Sequence, residues 1–174
     1  MVEKVGKRYA DAIYDIARDM EIVLDVFTLL KEVDTLYNKN PEFREFFQHP
    51  LVKKEDKLAL IEKIFSEQKE IERNIVLYLV ERGRIVEIKS ILEEYKALYY
   101  DENGIVDVKA TFASEITDEQ RKKLIEKLEK NTKKKVNLDF TLDASLIGGA
   151  ILKIGDKIID GSIKTQSSNM AKGK

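Results

Sequence analysis

A chain of 174 residues has room for one medium domain or two small ones, and 31 Lys and Arg against 32 Asp and Glu leave a net charge of -1. That balance argues against nucleic acid as the main partner, because phosphate binding rests on excess basic charge; the absence of cysteine excludes a disulfide framework, thiol catalysis and a thiolate metal site, and suits a reducing cytoplasm. No apolar run approaches the roughly 20 residues that span a bilayer, and Lys4, Lys7, Arg8, Asp11 and Asp15 interrupt any signal-peptide core, so the expectation is a soluble protein whose membrane association is indirect.

The first hundred residues read as helices. From Val5 to about Met20 the apolar residues form two adjacent stripes, Ala10, Ile13 and Ala17 on one and Tyr9, Ala12 and Ile16 on the other. A single buried face needs one stripe, so the second implies either full burial or a docking face. Leu24 to Asn38 is a second helix with Val26, Leu30, Val33 and Leu36 or Tyr37 at helical spacing. Asn40-Pro41 supplies a cap and a first-turn proline for a short third helix carrying Phe43, Phe46 and Phe47. His49-Pro50 breaks it, because a residue before proline avoids the α region.

A fourth helix runs from about Lys54 to Phe65, with Leu58, Ile61 and Phe65 on one side and Leu60 and Ile64 beside them. The fifth, roughly Glu70 to Arg82, carries Val76 and Val80 with Leu77 or Leu79 on a core stripe and stops at Gly83, a left-handed cap. Ile71, Ile75 and Tyr78 make a second stripe. Either this helix is buried all round, or those three face outward beside Tyr9, Ala12 and Ile16, as a groove suited to a partner's amphipathic helix. The sixth helix, Ile85 to about Tyr100, turns Ile88, Ile91, Leu92, Tyr95 and Leu98 inward.

Asp101-Glu102-Asn103-Gly104 is a polar turn and the natural domain boundary. After it the period changes to two: Val106, Val108, Ala110 and Phe112 alternate with Asp107, Lys109 and Thr111 in a strand. Thr117 and Gln120 form a capping box opening a helix to about Lys130, with Leu124, Ile125 and Leu128 inward. Val136, Leu138, Phe140 and Leu142 alternate along a second strand. The pair Gly148-Gly149 then lets backbone turn or pass close to a neighbour. Two short apolar runs follow, joined at Gly155-Asp156, where Gly supplies the positive φ of a two-residue II′-type hairpin. The expected fold is α plus small α/β: a six-helix bundle over residues 1–103 and a βαββ domain over 104–174.

The stretch from Val136 through Gly148, Gly149 and Gly155 to Asp160-Gly161-Ser162 resembles, position by position, the signature of the delta subunit of F-type ATP synthase. That family is the bacterial counterpart of the mitochondrial oligomycin-sensitivity-conferring protein. Tyr9-Ala10-Asp11-Ala12-Ile13, His49-Pro50 and Gly83-Arg84-Ile85 extend the resemblance through the N-terminal half. The chain departs from it at Lys164-Thr165-Gln166-Ser167-Ser168-Asn169-Met170, where the family usually has a Leu- and Arg-rich closing helix; Ser and Asn are poor helix formers.

The resemblance implies a stator subunit without an active site or cofactor, present in one copy per complex and held peripherally at the cytoplasmic face of the inner membrane. It implies that helices one and five receive the N-terminal helix of an alpha subunit, which assigns Tyr9, Ala12, Ile16, Ile71, Ile75 and Tyr78 to that groove. The C-terminal domain would bind the C-terminal end of the b subunit in the peripheral stalk, so that rotor torque drives ATP synthesis coupled to ion translocation.

The residues offer little chemistry of their own. His49 is the sole histidine and lies in a connection. Asp156 and Asp160 are explained by a turn and a strand end. Gly155-Asp156-Lys157 lacks the spacing and the Ser or Thr of a phosphate loop. Lys133-Lys134-Lys135, with Lys130, is the one basic run; as a free-standing adaptor or RNA-binding module the chain would have to use it, but no stacking aromatics accompany it.

Overall fold

A computed structural model describes residues 5–155 and 157–160. Asp156, Gly161, Ser162 and the closing segment from Lys164 lie outside the described residues. The fold is α plus a small mixed β-sheet: α1 (Val5–Asp19), α2 (Val23–Lys39), α3 (Pro41–Gln48), α4 (Lys54–Ile64), α5 (Glu70–Glu81), α6 (Ile88–Glu102), β1 (Ile105–Phe112), α7 (Asp118–Thr132), β2 (Lys135–Leu142), β3 (Ala150–Ile154) and β4 (Lys157–Asp160). Two compact units divide at Tyr99 and Tyr100, inside α6 and a few residues before the polar turn chosen from sequence.

In the first unit, helix ends follow local chemistry. The Asn40 side chain accepts the Phe43 amide at 3.2 Å, which caps α3. Past α5, the Arg84 amide reaches back to the Leu79 carbonyl at 2.7 Å and Gly83 takes φ +67, a Schellman ending. The expected sixth helix starts later than its pattern: Ile85–Glu87 form a 3₁₀ turn before α6 begins. The chain is reversing direction there, and the tighter i→i+3 bonds fit a turn that regular α geometry does not.

The apolar stripes of these helices converge on one cluster. Ala10, Ile13 and Ala17 of α1 meet Val26, Leu30 and Val33 of α2, Val76 and Leu79 of α5, and Ile88, Ile91 and Tyr95 of α6. The Tyr95 phenol is fully buried and donates to the Val23 carbonyl at 2.8 Å. Burial pushes its pKa well above the ordinary tyrosine value, so it stays a donor.

In the second unit the sheet order is β2-β1-β3-β4, so the unit is βαβββ rather than the expected βαββ: both arms of the hairpin around Gly155 pair as strands. β1 and β2 are parallel, linked by α7, while β3 and β4 run antiparallel. The Thr117–Gln120 capping box is present and opens α7. Register places Val108 beside Leu138 and Ile154, and Ala110 beside Phe140 and Leu152, on one face. α7 covers part of that face, with Leu128 buried and Arg121 over the Phe140 ring at 5.5 Å. Ile154 pairs with Lys157, and Gly155 has φ +57.

Candidate functional site

The face to be explained lies on α1 and α5. Gly6 sets the roll of α1: a Cβ added there would meet Ser90 Oγ at 2.2 Å and Ser90 Cβ at 2.8 Å. Only hydrogen allows that approach, and with Ala10 and Ala17 buried beyond it, the small-residue side of α1 packs inward. The 3.6-residue period then turns the other stripe outward. Ala12 is exposed, Ile16 is 45% exposed, and Met20, four residues on, is 54% exposed.

α5 behaves likewise. Val76, Leu79 and Val80 enter the core, while Tyr78 is 43% exposed. The helix is therefore not buried all round. Its two stripes do not separate cleanly: Ile71 is half-buried, and Ile75 is 6% exposed and belongs to the core cluster.

Tyr9 and Tyr78 are brought together, their ring centroids 6.1 Å apart. Each carries an arginine: Arg82 lies over Tyr78 at 5.4 Å and Arg84 over Tyr9 at 5.8 Å. Arg84 also bonds Glu87 at 3.1 Å. The Tyr9 hydroxyl first and Glu87 second hold the guanidinium above its usual pKa, although the Glu87 contact is the one with hydrogen-bond geometry. The Arg84 Nε is buried and has no hydrogen-bond partner among the described residues. Periodicity missed both arginines and Met20. The signals were available: Met20 continues the 9-12-16 spacing, and Arg84 follows the glycine that ends α5.

This face holds apolar and aromatic surface of the kind that a partner's amphipathic helix covers. Elsewhere, His49 Nδ1 accepts the Leu51 amide at 3.2 Å, a local loop bond. Lys133 closes α7 in the left-handed conformation at φ 56 and Lys135 opens β2, so that basic run is the helix-to-strand connection. Among the described residues no group of three or more His, Asp or Glu gathers to hold a metal ion, and no helix is long and apolar enough to cross a membrane.

The signature residues lie in the second unit. Gly148 and Gly149 take φ +65 and +77 between β2 and β3, so conformation alone accounts for glycine there. Asp160 ends β4. Around them Leu142, Ile147, Ile158 and Ile159 are exposed.

Comparison with known proteins gives one answer along the chain. The family described as ATP synthase delta (OSCP) subunit matches residues 5–173. "ATP synthase subunit delta, sodium ion specific" of Propionigenium modestum is 48% identical, covering 99% of both chains. "ATP synthase subunit delta" of Fusobacterium nucleatum is 44% identical over 97% of each. Among solved structures, a chain of the Toxoplasma gondii mitochondrial ATP synthase hexamer shares the fold at TM-score 0.72 and 20% identity, covering 98% of this chain and 97% of that one.

Proposed function

Because the chain belongs to the family of ATP synthase delta (OSCP) subunits, we propose that its two units are the two grips of a tether. The chain is a non-catalytic stator subunit of ATP synthase. The six helices of the first unit act as a bundle (residues 1–103 by the sequence boundary) that holds the crown of the α3β3 head. The βαβββ unit (104–174 by the sequence boundary) holds the C-terminal end of the b-subunit stalk. One copy serves each complex, attached through it to the cytoplasmic face of the membrane.

Torque from the rotor would turn the head unless something held it. Holding requires slow dissociation and no reaction. Apolar burial at about 25 cal/mol per Å² supplies such contacts, concentrated in a few aromatic anchors.

The observation that carries the first grip is the outward stripe Tyr9, Ala12 and Ile16 beside Tyr78, with Tyr9 and Tyr78 in contact. An amphipathic helix from the N-terminus of an alpha subunit fits such a surface. Ile71 lies at its edge, and Ile75 supports it from below. For the second grip, the exposed Leu142, Ile147, Ile158 and Ile159 supply apolar surface.

The test is Tyr78→Asp in the full chain, titrated with a peptide of the alpha N-terminus. The reading expects affinity to fall about thirtyfold, as loss of an interface anchor worth ~2 kcal/mol does. Unchanged affinity with an unchanged circular dichroism spectrum removes Tyr78 from the interface.

A further inference from the structure

We propose that the helix docking on this face must carry a carboxylate at the level of Tyr9 and Tyr78, read by Arg84 and Arg82. The inference rests on the docking reading above and adds what that reading lacks, a polar determinant of which helix binds and in which register.

The geometry points to an unfilled recognition site. A guanidinium presents five N–H donors in a planar fork, and its two Nη groups can bond two carboxylates at once. In Arg84 one Nη bonds Glu87 at 3.1 Å, while the buried Nε has no partner among the described residues. The head is also held in place, over Tyr9 at 5.8 Å and by Glu87, so little freedom is lost when an acceptor arrives.

Arg82 gives a second, independent argument. It makes no ion pair among the described residues, and its charge lies over the Tyr78 ring at 5.4 Å. The two arginines thus flank the two rings that touch each other. An apolar helix laid along Ala12 and Ile16 would reach a positively charged end there. A leucine in that place would desolvate the unpaired Arg82 and the exposed part of the Arg84 guanidinium; an aspartate or glutamate would pair with both. Apolar stripes fix a helix against rotation but tolerate sliding by a turn, whereas a charge pair at one level does not.

The experiment is a double-mutant cycle on the full chain with a synthetic peptide of the alpha N-terminus, each of its Asp and Glu changed in turn to the amide. Arg84→Lys keeps the charge and loses the fork; Arg82→Gln removes a charge that has no ion pair to break. One peptide carboxylate is expected to account for about a tenfold loss on amidation. That loss should shrink when Arg84 is already Lys, because the partner fork has gone. If every amidated peptide binds both arginine variants and the parent alike while Tyr78→Asp still weakens binding about thirtyfold, the carboxylate is refuted and the docking face survives. If Tyr78→Asp changes nothing, Tyr78 is outside the interface, and a carboxylate at its level is refuted with it. Because amidation alters only the peptide, a folding defect in the Arg84 variant cannot imitate the expected result.

Discussion

The two units solve the burial problem unequally. In the helical unit, stripes from α1, α2, α5 and α6 meet in one continuous cluster, and Tyr95 at its centre stacks edge-on against Tyr14 at 5.2 Å while its hydroxyl is satisfied. In the β unit, Val108, Ala110 and Leu128 are the fully buried hydrophobics among the described residues, and Leu142, Ile147, Ile158 and Ile159 face water. Among the described residues, one helix lies against four strands and covers only part of a sheet face. The helical unit thus completes its own core and still has apolar surface to spare, whereas the β unit leaves apolar surface unmatched among the described residues.

This contrast can be broken most decisively at its strongest point. Tyr95→Ala removes a fully buried ring together with its bond to Val23, and about 4 kcal/mol of stability should go with it. Val108→Ala, equally buried but smaller and in a thinner core, should cost about 1–2 kcal/mol. Urea unfolding followed by tyrosine fluorescence and far-ultraviolet circular dichroism measures both. Equal losses would mean that the β unit is as well packed as the helical one.

A smaller effect sharpens the account of how α1 is oriented. Gly6→Ala should destabilise the helical unit by about 1–3 kcal/mol through overpacking on Ser90, and Ser90→Gly in the same chain should recover part of that. Without recovery, something other than the α1–α6 contact fixes the roll of α1, and the outward direction of Ile16 loses its explanation.

The smallest effect is on pH. Ser145, through its hydroxyl and its amide, holds the Asp143 carboxyl below the ordinary aspartate pKa. A depressed folded value means that the contribution is present above the unfolded pKa and is lost as pH falls through the folded one. Lys69 is the opposite case. Asp25, at 2.9 Å, raises it above the ordinary lysine value, so its contribution holds below the unfolded pKa and is lost as pH rises through the folded one. Acid should therefore loosen the β2–β3 turn first and alkali the α2–α5 contact first. Amide exchange at Ser145 and at Lys69 across pH checks the order, and Asp143→Asn should flatten the acid response.

Much of this was legible in the sequence because several local signals agreed. Thr117 and Gln120 announce α7, Asn40-Pro41 announces α3, and the change of period after Gly104 separates helices from strands. What resisted reading was roll. Both stripes of α1 are apolar, so hydrophobicity alone could not say which faces in; the deciding residue is Gly6, whose value lies in its contact with Ser90, far away in sequence. On α5, Ile75 lies between the Ile71–Tyr78 line and Leu79 around the helix, and a stripe read by spacing places it with either. Glu72 is buried although it is charged, held near Lys69 at 3.6 Å, a pairing that depends on the turn before α5. The arginines on Tyr9 and Tyr78 escaped because ring-to-guanidinium contact leaves no periodic trace.

The central claim is that this chain works by holding two bodies against torque. Energised membrane vesicles stripped of the chain and then supplied with it give the most direct measurement, ATP synthesis per ion gradient. Synthesis should be lost on stripping and restored by the intact chain, but not by a chain cut between Tyr99 and Tyr100. Undiminished synthesis without the chain, or full rescue by the severed halves, would contradict it.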